Sequence, residues 1–350
     1  MDGRDSMRIL LFHKGGIGDL VFATPLIRDL KRAFAPCDLV VLTHRLGKEV
    51  LKLSPEVDCV VEGPPKIGAS LGRELLARSP FSSFDVAMTT VRSPRAAWLL
   101  KCVKAPVRVG FASGPEQILY THRAPVRPFE VRFARRFQRL LEVLGHPIGD
   151  AVPRMEVPPP LRDRAREQLI AAGWDPQTPL VAVHVGGGWP TKRWPIEHLL
   201  EFCRLARAEF GVSLLLQGGP EDRERARALR EQLGAPVLDA VGNPVSECLA
   251  QTSFCHFCLG LDSGLSHGAA ALGIPTLHLF GPNNPDSVVV APWQRLFFLP
   301  ALACRPCNRK ARKRCPKGHH RCMTDLDARA VYDLARTALK RVGEPTFKRA

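Results

Sequence analysis

Short apolar runs bounded by glycine or polar residues alternate, in the first half of the chain, with segments whose apolar residues recur every three or four positions. The runs predict strands at residues 8–12, 39–42, 58–62, 84–88 and 107–111. The periodic segments predict helices at residues 20–34, 96–101 and 133–144. This alternation is typical of a parallel, doubly wound α/β sheet, whose right-handed crossovers bring all strand carboxyl ends to one edge.

The alternation restarts after residues 152–160, where four of nine residues are proline and an extended linker is expected. Further strands are predicted at residues 180–185, 213–217, 237–238, 254–259 and 276–280, and helices at 161–173, 195–210, 220–233 and 266–272. We therefore expect two doubly wound, Rossmann-like domains, at residues 1–157 and 158–350. The second includes a cysteine-rich segment, 304–322, and a C-terminal helix. A ligand should bind between the facing carboxyl edges of the two sheets.

Composition narrows the class of protein. The chain has 350 residues, 45% of them hydrophobic, and 50 Lys and Arg against 34 Asp and Glu give a net charge of +16. The hydrophobic content is that of a globular protein. The positive charge favours an anionic partner: nucleic acid, an acidic membrane surface or a phosphorylated substrate. No apolar run of about 18 residues and no secretory signal is recognised, so we expect a cytoplasmic protein with reduced cysteines.

A glycine-rich corner joins the first predicted strand to the first helix. Gly15, Gly16 and Gly18 allow bare backbone to approach a ligand, and Asp19 lies where a carboxylate is favoured near the start of a helix. The spacing matches neither the dinucleotide-binding fingerprint nor the P-loop. The alternative is that the glycines only make a turn and that Asp19 only caps the helix.

Two loops of the second half carry basic and acidic side chains at predicted strand ends. In the first, Gly187 and Gly188 permit close approach of backbone N–H groups to an anion, and Lys192 adds charge before a helix. The alternative is a basic surface loop. In the second, Glu221 or Asp222 could accept hydrogen bonds from ribose hydroxyls, or either could simply cap a helix.

A third loop combines an acid, a hydroxyl and an imidazole. Asp262 and Ser263 end a predicted strand, Gly264 begins a helix of small residues, and His267 follows Ser263 by four positions on the same helical face. Backbone N–H groups at this helix start would bind an anion. A lone helical histidine is more often a packing residue, but beside an acid and an anion site we expect it to contact the ligand.

With these motifs in order, the chain resembles the heptosyltransferases of glycosyltransferase family 9. The resemblance runs from Ile9 to about Val331. It is carried by Gly18-Asp19-x-x-x-x-Thr24-Pro25, by Lys-Arg-Trp-Pro at residues 192–195, and by Asp-Ser-Gly-x-x-His at residues 262–267. It implies a GT-B fold and inverting, metal-independent transfer of a heptose from ADP-heptose to the lipopolysaccharide inner core. No cofactor is expected for catalysis.

The resemblance also implies roles for individual residues. Asp19 is similar to the general base that removes the acceptor proton, and Lys192 to a ligand of the donor diphosphate. Asp262 is similar to a contact of a sugar hydroxyl. Around the phosphates the resemblance places Ser263, Gly264 and His267.

Four cysteines near the C-terminal end form a separate pattern. Cys304 and Cys307 are spaced as C-x₂-C, but Cys315 and Cys322 are not, so structural zinc is one hypothesis and a reduced or redox-active thiol cluster is another. A similar stretch occurs in members that resemble heptosyltransferase II, which favours that subtype.

Two rival functions stay open. One is another glycosyltransferase of this fold with a different donor or acceptor; the other is a basic module for nucleic acid or membrane. Only 7% of residues are aromatic, which offers few stacking surfaces for bases, so we expect no nucleic-acid partner. Arginines of the first half suit a phosphorylated lipid A–inner core acceptor and peripheral association with the cytoplasmic face of the inner membrane. These are Arg92, Arg95, Arg108, Arg123, Arg127 and Arg132; the alternative is a solvated basic face.

Overall fold

The computed structural model describes residues 6–63, 71–126, 132–234, 237–288, 290–311 and 313–340. The chain divides into two compact units, Met1–Glu156 with Asp286–Val289 and Val157–Pro285 with Val290–Ala350. Each unit contains one six-stranded sheet in which all strand pairs are parallel. None of the helices in the described ranges is long and apolar enough to cross a lipid bilayer.

The sheet of the first unit has the strand order β3-β2-β1-β4-β5-β6. Its strands are β1 (Met7–Phe12), β2 (Cys37–Thr43), β3 (Cys59–Glu62), β4 (Val86–Thr89), β5 (Val107–Ala112) and β6 (His122–Pro125). The helices are α1 (Ile17–Val21), α2 (Thr24–Ala33), α3 (Arg45–Leu51), α4 (Leu71–Arg78), α5 (Pro94–Cys102) and α6 (Phe133–Glu142). Because the order reverses between β1 and β4, a crevice forms at their carboxyl ends.

The sheet of the second unit repeats this winding, with the order β12-β11-β10-β7-β8-β9. Its strands are β7 (Leu180–His184), β8 (Ser213–Gln217), β9 (Val237–Asp239), β10 (Phe257–Leu261), β11 (Thr276–Leu279) and β12 (Gln294–Phe297). The helices are α7 (Pro159–Ala171), α8 (Ile196–Phe210), α9 (Arg223–Leu233), α10 (Val245–Thr252), α11 (Gly264–Ala271), α12 (Arg321–Thr324) and α13 (Ala328–Lys340). Here the reversal falls between β7 and β10.

Continuous apolar runs form the central strands because helices cover both faces of each sheet. Along β7, Val181 and Val183 join one apolar cluster, whereas Leu180 and Ala182 join another. Successive side chains of a strand point to opposite faces, so a strand buried on both sides has no polar alternation. The predicted doubly wound sheets are confirmed.

The single helix predicted for residues 20–34 is wrong, because the structure has two helices there, α1 and α2. Pro25 has no backbone N–H and therefore cannot bond to the carbonyl of Val21. The hydroxyl of Thr24 donates to that carbonyl instead, at 2.8 Å. The Thr-Pro pair thus ends one helix and begins the next, an effect that apolar periodicity does not reveal.

Other element predictions need smaller corrections. The strand predicted at 254–259 begins later, at Phe257, since a turn follows α10. The helix predicted at 220–233 is a short 3₁₀ turn, Pro220–Asp222, followed by α9. The proline-rich segment is only partly extended, because α7 begins within it, at Pro159. The first turn of a helix needs no backbone N–H donors, so proline is tolerated there. The pattern missed β6, β12, α3, α4, α10 and α12.

Trp194 fixes the C-terminal segment to the core of the second unit. Its side chain is fully buried, and its Nε1–H donates to the carbonyl of Leu326 at 2.8 Å. Helix α13 packs on α8, with Val331 and Leu339 buried. The tryptophan of the Lys-Arg-Trp-Pro motif is therefore a core residue.

We expect Trp194→Phe to lower the free energy of unfolding by about 2 kcal/mol or more, because it removes buried ring area and leaves the Leu326 carbonyl without its donor. Urea denaturation followed by far-UV circular dichroism measures this. Trp98→Phe is the matched control, since Trp98 is 48% exposed and should change stability by less than about 0.5 kcal/mol. Equal midpoints for the two variants would contradict the assignment.

Candidate functional site

The loop after β1 places Asp19 at the crevice of the first unit. Asp19 lies in the first turn of α1, and its Oδ2 accepts the backbone N–H of Gly16 at 2.8 Å. The side chain is half-buried. Asp19 therefore does cap the helix, as the alternative interpretation proposed. Its carboxylate also lies at the carboxyl edge of the sheet, where ligands bind in this type of fold.

Gly15 is the glycine that this corner requires. A Cβ atom on Gly15 would lie 2.4 Å from the Asp19 Cβ and 2.8 Å from Nε2 of His13, whereas one on Gly16 would make only ordinary contact. The carbonyl of Gly15 accepts the Nε2–H of His44 at 2.5 Å. His13 is buried, and its Nδ1 lies 2.8 Å from the Thr90 hydroxyl. The sequence analysis did not single out either histidine.

In the second unit, the loops after β7 and β10 meet through an ion pair. The ammonium of Lys192 lies 2.8 Å from Oδ2 of Asp262 and donates to its backbone carbonyl, also at 2.8 Å. Oδ1 of Asp262 is 3.2 Å from Nε2 of His267, and Asn283 donates to Oδ2 at 2.6 Å. The side chains of Lys192 and Asp262 are only 13% and 10% exposed. Residues predicted from two separate motifs, Lys192 in one and Asp262 and His267 in the other, therefore form one cluster.

The environment keeps Asp262 ionised. Burial alone would raise its pKa, but the hydrogen bond from His267 and the charge of Lys192 outweigh burial and hold the pKa well below its usual range. Asn283 was missed by sequence analysis; it follows β11, the strand beside β10, which is the positional signal that could have found it.

These two corners sit in a chain that matches the model of glycosyltransferase family 9 (heptosyltransferase) over residues 69–320.

The chain belongs to glycosyltransferase family 9.

Individual relatives agree with this assignment. Lipooligosaccharide heptosyltransferase 2 of Campylobacter jejuni is 37% identical, over 95% of this chain and 99% of the relative. The crystal structure of the glycosyl transferase family 9 protein from Veillonella parvula superimposes with a TM-score of 0.81 at 20% identity, over 97% and 98% of the chains. Escherichia coli ADP-heptose lipopolysaccharide heptosyltransferase II gives 0.78 at 21%, over 96% and 99%. The predicted GT-B fold class and glycosyltransferase activity are confirmed.

In this glycosyltransferase, the two acids after β8 have different environments. Asp222 is buried, pairs with Arg193 at 2.7 Å and accepts the N–H of Gly219 at 3.0 Å. Burial raises its pKa despite these partners. Glu221 is exposed at the carboxyl edge. Asp222 is thus occupied within the protein, and Glu221 is the acid that a ligand can reach.

The glycines after β7 also differ. A Cβ atom on Gly186 would lie 2.0 Å from the Asp222 carboxyl group, so the fold requires this glycine. A Cβ on Gly187 would only touch Lys192, Leu261 and Ser263, and one on Gly188 would meet nothing within 4 Å. Gly187 and Gly188 are therefore dispensable for packing, which leaves their predicted role in ligand binding as a prediction.

The cysteine-rich segment holds unpaired thiols. Cys304, Cys307, Cys315 and Cys322 are all free. Among the residues that the structure describes, no three His, Cys, Asp or Glu side chains are arranged to hold a metal ion. The structural zinc at these four cysteines thus stays a prediction.

The arginines predicted to meet a phosphorylated acceptor have different environments. The guanidinium of Arg108 donates to the carbonyls of Ala105 and Leu119, so it holds backbone together. Arg92 and Arg95 are exposed near the start of α5. Arg127 lies outside the described residues.

Buried neutral histidines make stability depend on pH. Burial, with a smaller effect of His44, lowers the pKa of His13 to about 3, and burial lowers that of His184 to about 4. In the unfolded chain each should titrate near the ordinary value of 6.5. The unfolded chain therefore binds more protons than the folded chain below about pH 6.5. The contribution of the two neutral histidines to the free energy of unfolding is fully present above that pH and is lost as the pH drops towards 4.

We expect the free energy of unfolding to fall by roughly 2 kcal/mol per buried histidine between about pH 7.5 and pH 5. Urea midpoints across this range measure the effect, and Asp262 stays ionised throughout. His184→Gln, which cannot titrate, should give a shallower slope. A pH-independent midpoint would show that these histidines are not buried as neutral groups.

Proposed function

We propose that the protein transfers a heptose from ADP-heptose to the inner core of lipopolysaccharide, with inversion at the anomeric carbon. The observation that carries this proposal is the Lys192 ammonium, which Asp262 holds beside the N-terminus of α11. Cationic groups and helix N-termini are suited to a diphosphate. The Campylobacter relative is named as a heptosyltransferase, and the Escherichia coli structural neighbour is named as an ADP-heptose lipopolysaccharide heptosyltransferase.

The C-terminal unit would bind the donor. Lys192 uses two of its three N–H groups on Asp262, and its ammonium also lies 4.6 Å from the centroid of the Trp189 ring. A phosphate oxygen would take the third N–H group. Backbone N–H groups at Gly264 would take further oxygens, with His267 beside them. Glu221 is our candidate for the ribose hydroxyls. Both carboxylate oxygens of Asp262 already have partners within the unit. The contact between Asp262 and a sugar hydroxyl stays a prediction.

The N-terminal unit would bind the acceptor, with the backbone of Gly15, Gly16 and Gly18 beside it and Asp19 as the general base. Asp19 takes the proton of the acceptor hydroxyl while that oxygen attacks the anomeric carbon from the face opposite the diphosphate. The bond between the anomeric carbon and the phosphate oxygen breaks, and ADP leaves with the electron pair. Lys192 stabilises the negative charge on the departing diphosphate.

The acceptor would be a phosphorylated lipid A–inner core, met at the cytoplasmic face of the inner membrane. The exposed guanidinium groups of Arg92 and Arg95 support this choice, since anionic headgroups attract such side chains. A structural zinc at the four C-terminal cysteines stays a hypothesis, and metal analysis of protein purified without chelator tests it.

ADP and ADP-heptose should raise the melting temperature of the protein, because a ligand that binds only the folded state stabilises it by mass action, by about 2.7 kcal/mol at one hundred times its dissociation constant. Differential scanning fluorimetry with ADP, UDP and GDP separates this proposal from a related enzyme with another donor. Single-stranded DNA should have no effect at physiological salt. Stabilisation by DNA alone would favour the basic binding module.

Asp19→Asn should lower turnover of ADP-heptose onto a truncated core acceptor by roughly 10²- to 10⁴-fold, because it removes the general base, and should leave ADP binding unchanged. Asp38→Asn is the matched control, since Asp38 lies near the amino end of β2, at the other edge of the same sheet. Release of ADP measures turnover. Near-normal turnover by Asp19→Asn would remove this residue from the role of base.

A further inference from the structure

A chain of buried polar side chains runs across the carboxyl edge of the second sheet and ends at Ser263. Nε2 of Gln217 donates to the carbonyl of Cys248 at 2.8 Å, and Oε1 of Gln217 lies 3.1 Å from Nε2 of His184. Nδ1 of His184 is 2.7 Å from the hydroxyl of Ser266, which is 3.0 Å from the hydroxyl of Ser263. Gln217, His184 and Ser266 are 0–1% exposed, whereas Ser263 is half-buried.

The direction of every hydrogen bond in this chain follows from its first member. A carbonyl only accepts, so the amide nitrogen of Gln217 must face Cys248, and its oxygen must accept the Nε2–H of His184. Burial lowers the pKa of His184 to about 4, so the ring is neutral near pH 7 and Nδ1 carries no proton. Ser266 therefore donates its single hydrogen to Nδ1.

The same logic fixes the hydrogen of Ser263. Because the hydrogen of Ser266 is used on His184, the bond between the two hydroxyls must be donated by Ser263. The hydrogen of the Ser263 hydroxyl points into the protein, so its oxygen can still accept a hydrogen bond from a ligand. Ser263 also makes no side-chain capping bond to α11, although it is the N-cap residue.

The fold makes room for this arrangement at Gly260 on β10. A Cβ atom there would lie 2.2 Å from the Ser266 hydroxyl and 3.4 Å from Nδ1 of His184. Any other residue at this position would push Ser266 away from the ring. The glycine near the end of β10 thus leaves the space that the hydrogen bond between Ser266 and His184 needs.

We propose that the Ser263 side chain accepts a hydrogen bond from a hydroxyl group of the nucleotide-sugar donor, and that Gln217, His184 and Ser266 are positioning residues that orient it. A hydroxyl that donates inward is a poor partner for a phosphate oxygen, which also only accepts. The phosphates are left to Lys192 and the backbone N–H groups. This inference rests on the proposed donor site and adds which ligand group Ser263 recognises.

The hydroxyl could belong to the ribose or to the sugar, and a ligand series separates the two. Ser263→Ala and the wild type are compared by calorimetry with ADP-heptose, ADP, 2′-deoxy-ADP and 3′-deoxy-ADP. Loss of one such hydrogen bond should weaken binding roughly three- to tenfold. A loss seen with ADP-heptose but not with ADP assigns the sugar; a loss seen with ADP that disappears with one deoxy-nucleotide assigns the ribose.

Two outcomes overturn the proposal. A loss that persists with both deoxy-nucleotides would mean that Ser263 contacts a phosphate, and no loss with any ligand would mean that it contacts nothing. If wild-type protein binds ADP but not ADP-heptose, the proposed function fails, while the ADP series still tests Ser263.

The positioning role is tested by a double-mutant cycle on donor affinity. Ser266→Ala should weaken ADP-heptose binding severalfold when Ser263 is present and should have no effect in the Ser263→Ala background. Thr252→Val is the matched control, because the buried Thr252 hydroxyl contacts Gln217 at 3.0 Å but lies off the path to Ser263. It should lower the melting temperature and leave donor affinity unchanged. Additive effects of Ser263→Ala and Ser266→Ala would overturn the positioning role; if Ser266→Ala does not fold, the ligand series decides alone.

Discussion

The carboxylate of Asp262 is the group on which the proposed donor site depends. It is almost excluded from solvent, yet it stays charged because Lys192, His267 and Asn283 all approach its two oxygens. Removing one partner of such a buried pair is expected to cost about 3–5 kcal/mol, because the remaining charge loses its compensation. The ammonium of Lys192 is therefore held in place before any ligand arrives. A preorganised cation of this kind stabilises a developing phosphate charge without having to move at the moment of reaction.

Repetition of one winding order explains where these groups lie. In both sheets the strand order reverses beside the first strand, between β1 and β4 and between β7 and β10. Asp19 follows β1, Lys192 follows β7, and Asp262 follows β10. Each functional loop thus begins at a strand that borders a reversal, the position at which open α/β sheets bind their ligands. The topology brings the functional residues to these strand ends, and the loop sequences determine which side chains they are.

Much of the fold could be predicted because its signals are local. The apolar runs of β1 and β7 and the prolines around residue 158 act through neighbours along the chain. Elements with weak local signals were missed: β12 is a short edge strand that carries Gln294 and Arg295. The break between α1 and α2 was missed because it depends on a hydrogen bond between Thr24 and Val21, and not on apolar periodicity.

For the site, the sequence by itself determined the chemical groups: an acid after the first strand, a lysine before a helix, and Asp, Ser and His in fixed spacing. It could not separate Glu221 from Asp222, nor show that packing requires Gly15 and Gly186. Only the tertiary structure decided these points, together with the partnership of Lys192 and Asp262, which are 70 positions apart. The physical reason is that hydrogen bonds and steric contacts between separate strand ends depend on distances in space. Residue type and spacing along the chain do not contain those distances.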